Sequence, residues 1–165
     1  QHRRGGYSGA WGALTQAQTS GEMSKKKAAV PPKPPKPPKA SDPLSAHLGI
    51  SHEVVAPGLA VSRLRPGDFH RNGFGVVNGA VLFAMADVGM GVAVMSTLKR
   101  RRKMATVSMS SNFLRPCLEG EIVATSTVID QGRKVATVMT EIEDGNGVQC
   151  AVMTGTYYIS DGDKA

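Results

Sequence analysis

Residues 79–98 read GAVLFAMADVGMGVAVMSTL, and the run ends on the cluster Lys99-Arg100-Arg101-Arg102-Lys103. At ~1.5 Å of rise per residue, such a run approaches the length of a bilayer crossing, and the trailing cations look like a stop-transfer signal. Asp87 argues against that reading. It sits near the middle of the run, where insertion would cost roughly 2.5–3.5 kcal/mol. The apolar residues are also mainly Ala, Gly, Met and Val rather than Leu and Ile. The stretch therefore predicts a central helix buried on most sides, in a domain without a membrane span. Gly89-Met90-Gly91 lies inside that helix and lacks a third glycine, so it is no dinucleotide fingerprint. Glycines there predict close packing of the helix on its neighbours, since each costs about 1 kcal/mol of helix propensity.

Upstream of the helix, Asn78 is a good N-cap. The glycine-rich loop 69–77 precedes it, and Arg65-Pro66-Gly67-Asp68 is a turn signal. His52 to Leu64 predicts a first strand, interrupted near Pro57-Gly58. Downstream, four runs read as strands: 104–114, 121–129, 133–143 and 148–159. In the first of these, Val107, Met109 and Phe113 alternate with Thr106, Ser108, Ser110 and Asn112. Short polar turns, among them Asp130-Gln131-Gly132, predict that consecutive runs are antiparallel neighbours. One buried helix then needs a sheet curled round it, which makes the fold α+β.

The 165 residues carry a formal net charge of +7. Eight Lys and Arg stand against one Glu in residues 1–40, whereas residues 41–165 hold twelve of each sign. The expected organisation is a basic arm over residues 1–40 and a neutral domain over residues 41–165. Pro31-Pro32-Lys33-Pro34-Pro35-Lys36-Pro37-Pro38-Lys39 is a PPK repeat that predicts extended polyproline II. The arm reads either as a solvated linker or as a tether that docks on RNA, an acidic partner or a membrane surface. Its basic residues are not interleaved with aromatics, which disfavours a nucleic-acid surface. Residues 1–21 contain Arg3, Arg4, Ser and Thr but no acid, and they predict import into an organelle such as the mitochondrial matrix. Cys117 and Cys150 have no metal-like spacing, and His47, His52 and His70 are scattered, His70 reading as surface or pocket border.

Asp87 is the residue that needs a chemical explanation. No other ionisable side chain lies between Ala80 and Met95, so its carboxyl must be paired, hydrogen-bonded, protonated or functional. It reads either as a polar contact on the sheet or at a dimer seam, or as a nucleophile or base toward water. Asn78-Gly79 opens the helix, where the first N–H groups lack internal partners and the dipole is positive. That arrangement serves as a plain cap or as an oxyanion site. The Asn78 and Asp87 positions are ~13 Å apart along the axis, too far to meet on one bond. Catalysis would therefore take the Asp from one helix and the N–H from another, across a two-fold axis.

Asn72, Asn78-Gly79-Ala80, Asp87 in the helix, Thr106 in the next strand and Asn112-Phe113-Leu114-Arg115-Pro116 together resemble the hotdog-fold thioesterase superfamily, in its phenylacetate-degradation and thioesterase-superfamily-member branch. The resemblance spans residues 54–159 and implies an antiparallel sheet wrapped around one long helix. It implies an acyl-CoA thioesterase acting on a fatty or aryl acyl-CoA as a homodimer or dimer of dimers, with coenzyme A as part of the substrate and no separate cofactor or metal. Gly79 N–H would polarise the thioester carbonyl. Asp87 of the facing subunit would attack it or activate water, Asn72 would position that water, and Thr106 would sit beside it. The family's usual His-Gly-Gly is Asn78-Gly79-Ala80 here. Lys99, Arg100, Arg101, Arg102 and Lys103 are candidates to clamp the coenzyme A phosphates, with Arg115 and Arg133 behind them. The competing expectation is a non-catalytic hotdog subunit of a large mitochondrial assembly, anchored by residues 1–40.

Overall fold

The computed structural model describes residues 42–99 and 102–160. The basic arm, Arg100 and Arg101 lie outside the described residues. Helix α1 (Pro43–Leu48) is capped by Asp42, whose side chain accepts from Ser45 N–H at 2.9 Å, and it ends on left-handed Gly49. Strands β1 (Ser51–Ala56) and β2 (Leu59–Leu64) follow, then a 3-10 turn at Asp68–His70. Helix α2 (Gly79–Thr97) is succeeded by β3 (Met104–Phe113), β4 (Ile122–Gln131), β5 (Val135–Glu143) and β6 (Gln149–Ile159). All the pairings are antiparallel, in one six-stranded sheet of order β1-β2-β4-β5-β6-β3. This is the α+β architecture that the sequence predicts, in the hotdog arrangement that the resemblance implies.

Three expectations change in detail. The run 52–64 is a hairpin of two strands, because Gly58 takes a positive φ of 81° and folds β2 back on β1. Consecutive runs are not all neighbours: β3 crosses to the far edge and pairs with β6, so the segment 114–121 is a connection rather than a hairpin. The alternation in β3 also breaks. A bulge between Thr106 and Ser108 takes Val107 out of register, and it stands 64% exposed.

The concave side of the sheet packs on α2. Val81, Leu82, Met85, Ala86, Met90, Ala93 and Val94 of the helix meet Leu64, Ile122, Val138, Ile142, Met153 and Ile159 from the strands. Each large side chain buried there contributes roughly 1.5–3 kcal/mol. By length and composition α2 is the described helix apolar enough to cross a membrane. Here it is the core element of the domain, but it is not buried on most sides as expected: the sheet covers the stripe from Val81 to Val94, while Phe83 and Met95 on the other side are 39% and 49% exposed.

Candidate active site

The loop before α2 is tightly built. Arg71 and Val77 form a bridge, Asn72 N–H donates to Val76 O at 2.9 Å, and Gly75 N–H donates to Asn72 O at 2.9 Å. Asn72 Oδ1 accepts from Phe74 N–H at 2.9 Å, which leaves its Nδ2 amide without a partner among the described residues. Asn78 N–H donates to His70 O at 2.8 Å, and Val77 N–H donates to Cys117 O at 3.0 Å, fixing the approach to the helix. His70 is therefore not a surface residue. It is 4% exposed, its Nδ1 accepts from Gly67 N–H at 2.8 Å, and its Nε2 is left to donate to Leu48 O at 2.9 Å.

Asn78 caps α2 as expected: its Oδ1 accepts from Ala80 N–H at 3.0 Å and its carbonyl accepts from Val81 N–H at 2.9 Å. Gly79 N–H, between them, has no partner among the described residues. That is the amide the sequence singled out, and it lies at the positive end of the helix. The Phe113 ring from β3 covers the α-carbon of Gly79, since a Cβ built there would meet the ring at 3.1 Å.

One turn past Phe83 on the same helix stripe, Asp87 is half-buried. Its Oδ1 accepts from Thr106 Oγ1 at 2.8 Å and from Tyr157 Oη at 2.7 Å. Tyr157 Oη also lies 2.7 Å from the main-chain carbonyl of Asp87. Oδ2 has no partner among the described residues. Burial, and then the hydrogen bond to Asp87, push the Tyr157 phenol above its ordinary pKa, so it stays protonated and donates. Asp87 and Thr106 are thus brought together, and the β3 bulge is what aims Thr106. Gly79 stays ~12 Å away along the helix, so one chain does not bring the acid and the amide to one bond.

Two groups of relatives match this chain. The family model of the thioesterase superfamily matches residues 74–151. A candidate esterase of Thermoplasma acidophilum is 32% identical over 109 residues, which are 66% of this chain and 76% of the relative. The chain belongs to the thioesterase superfamily. It is a hydrolase by that membership, and a medium/long-chain acyl-CoA thioesterase of Salmonella typhimurium is 29% identical over 51% of this chain and 63% of its own. Among solved structures, the E. coli PaaI protein of the phenylacetic acid degradation operon superposes with a TM-score of 0.68 at 25% identity, over 73% of this chain and 86% of that one. A thioesterase of Haemophilus influenzae superposes at 0.70 with 22% identity, over 75% and 87%, and shows the shared fold.

Other sequence candidates in this superfamily member stand apart from Asp87. Of the cluster after α2, the described Lys99, Arg102 and Lys103 lie at the opposite end of the helix from Gly79. Lys99 and Lys103 are exposed there, whereas the Arg102 guanidinium donates to the carbonyls of Ser160 and, at 3.3 Å, Arg133. Arg115 donates to Gln149 O at 3.1 Å, so it too is engaged with main chain. Among the described residues no group of three or more His, Cys, Asp or Glu could hold a metal. The sequence reading missed Tyr157, because that Tyr sits in β6 and meets Asp87 only once β3 and β6 are paired, with Thr106 opposite Tyr157.

Proposed function

We propose that this protein hydrolyses the thioester of a fatty or aryl acyl-CoA in an active site shared by two protomers. The observation that carries this reading is an acid at Asp87 whose Oδ2 is left without a partner among the described residues, on the same helix that opens with the unpartnered amide of Gly79. The thioester carbonyl oxygen accepts from Gly79 N–H of one protomer. That donor is preorganised where negative charge develops in the tetrahedral transition state. Asp87 Oδ2 of the other protomer then acts on the carbonyl carbon. It adds directly, expelling the coenzyme A thiolate to leave an acyl anhydride that water hydrolyses, or it takes a proton from water, which adds instead. Either route yields the free acid and the thiol, and Asn72 Nδ2 is a donor suited to orient that water.

A homodimer is part of this proposal. The acid and the amide are too far apart within one helix, β3 is an edge strand, and Val107 and Phe113 on it are 64% and 54% exposed. Lys99 and Lys103 remain the proposed contacts for the coenzyme A phosphates, and organelle import rests on the composition of residues 1–21 alone.

Full-length protein would be tested on short, medium and aryl acyl-CoAs, with release of free thiol as the readout. Turnover that falls at least ~10³-fold in Asp87→Ala supports the reading. A well-folded dimer that turns over none of them would sink it and leave the non-catalytic subunit.

A further inference from the structure

We infer that Tyr157 is the positioning residue of the site: its hydroxyl fixes which oxygen of Asp87 reacts. The inference rests on Asp87 being the acid of the thioesterase reaction. A free Asp side chain on a helix samples several rotamers, and its two oxygens are equivalent. Here they are made different. Oδ1 takes hydrogen bonds from two hydroxyls, Thr106 Oγ1 at 2.8 Å and Tyr157 Oη at 2.7 Å. Oδ2 takes none among the described residues, so it is the oxygen presented to substrate.

The two hydroxyls do different things. Thr106 Oγ1 holds the carboxylate and also neighbours the Tyr157 phenol, its partner across the β3–β6 pairing. The Tyr157 phenol spans both the carboxylate and the main-chain carbonyl of the same residue, at 2.7 Å each. Both distances are referred to one rigid ring, so the side chain is held relative to its own backbone. The ring itself is seated between two glycines. A Cβ at Gly91 would meet its Cε1 at 3.8 Å, and one at Gly155 would meet its Cε2 at 3.3 Å. Gly91 is one helical turn beyond Asp87, on the stripe of the helix along which the ring lies to reach the Asp87 carbonyl. Tyr157 is 3% exposed and its burial keeps the phenol protonated, as a donor must be.

The test is steady-state kinetics on the full chain with the best acyl-CoA of the panel. Tyr157→Phe removes one hydroxyl and keeps the ring. It is expected to lower kcat about tenfold or more with KM changed less than about twofold, because binding through Gly79 is untouched. Thr106→Val lowers kcat as well, Thr106→Ser restores it, and the double variant Tyr157→Phe/Thr106→Val departs from the product of the single effects, since both hydroxyls hold one oxygen. If wild type turns over, Asp87→Asn is dead and folded Tyr157→Phe keeps wild-type kcat, the positioning role is refuted while the thioesterase reading stands. If wild type itself turns over nothing, the thioesterase reading fails and the positioning role with it. If Tyr157→Phe does not fold, fluorotyrosine placed at position 157 keeps ring and hydroxyl but changes donor strength. A changed kcat at constant KM then supports the role, and an unchanged kcat overturns it.

Discussion

Two glycines of α2, two residues apart, should respond to alanine with opposite signs. A Cβ at Gly89 would lie 2.7 Å from Ser62 Oγ and 2.9 Å from Ser126 Oγ. Neither hydroxyl is at a free end. Ser62 is within 2.7 Å of His52 Nδ1, Ser126 is within 2.7 Å of Thr140 Oγ1, and both serines are fully buried. A Cβ at Gly91 would meet nothing closer than 3.8 Å. Alanine gains about 1 kcal/mol of helix propensity over glycine at either position. At Gly91 little opposes that gain, so Gly91→Ala should be neutral or stabilising by up to ~1 kcal/mol. At Gly89 overpacking costs roughly 1–3 kcal/mol, and displacing a buried, hydrogen-bonded hydroxyl costs about 1–3 kcal/mol more. The net loss is about 3 kcal/mol, or ~12 °C in Tm for a domain of this size. Scanning calorimetry or thermal circular dichroism on both variants decides it. A Gly89→Ala protein melting at or above wild type would refute the close seating of helix on sheet from which the whole site is placed.

Stability should also fall with mild acid. Ser45 Oγ donates to Asp42 at 3.2 Å, so His52 Nε2 at 2.9 Å is the donor to Ser45, and Nδ1 is left to accept from Ser62. Burial lowers the His52 pKa below its ordinary 6.5, against a smaller opposing effect of Asp42. The unfolded chain therefore binds the proton more readily, and this contribution is intact above about pH 6.5 and is lost as pH falls from there toward the folded pKa. Tm measured from pH 7.5 to 5.5 should drop in wild type and drop less in His52→Gln; equal slopes would refute the assignment. Cys117 and Cys150 are buried, and burial pushes both thiols up, so native protein should react with a thiol reagent far more slowly than protein in denaturant. Rapid native labelling of both would contradict their placement.

The sequence carried the fold because the decisive signals were local and strong. A nineteen-residue, mostly apolar helix behind Asn78, and strand runs separated by polar turns, leave few ways to bury one helix. Asp87 stood out for the same reason, as one charge in an apolar run. The parts that were not legible depend on pairing. The turn at Pro57-Gly58 looked like an interruption because only the φ of Gly58 distinguishes a bend from a reversal. Tyr157 gave no local signal in the run 148–159, because it meets Asp87 only once β6 is placed beside β3. His70 gave no sign of burial, because its two acceptor and donor partners, Gly67 N–H and Leu48 O, come from a turn and from α1.

An apolar helix on an apolar sheet has no intrinsic preference for its rotation about its own axis, since hydrophobic burial is non-directional. With mostly small apolar residues on nearly every side, α2 is close to that limit. Directional contacts must therefore set the rotation, and they are few and well spread. Gly89 sits over the Ser62 and Ser126 hydroxyls in the middle of the helix. Ser96 Oγ accepts from Gly58 N–H at 2.8 Å, and Thr97 Oγ1 donates to Gln131 Oε1, at its end. Tyr157 reaches the Asp87 carbonyl from β6. A rotation of one residue, ~100° about the axis, would break all of them and carry Asp87 away from Thr106. The buried hydroxyls under the helix thus serve the site as much as the fold: they choose, among rotations that bury similar area, the one in which a single carboxylate oxygen is left open to a substrate.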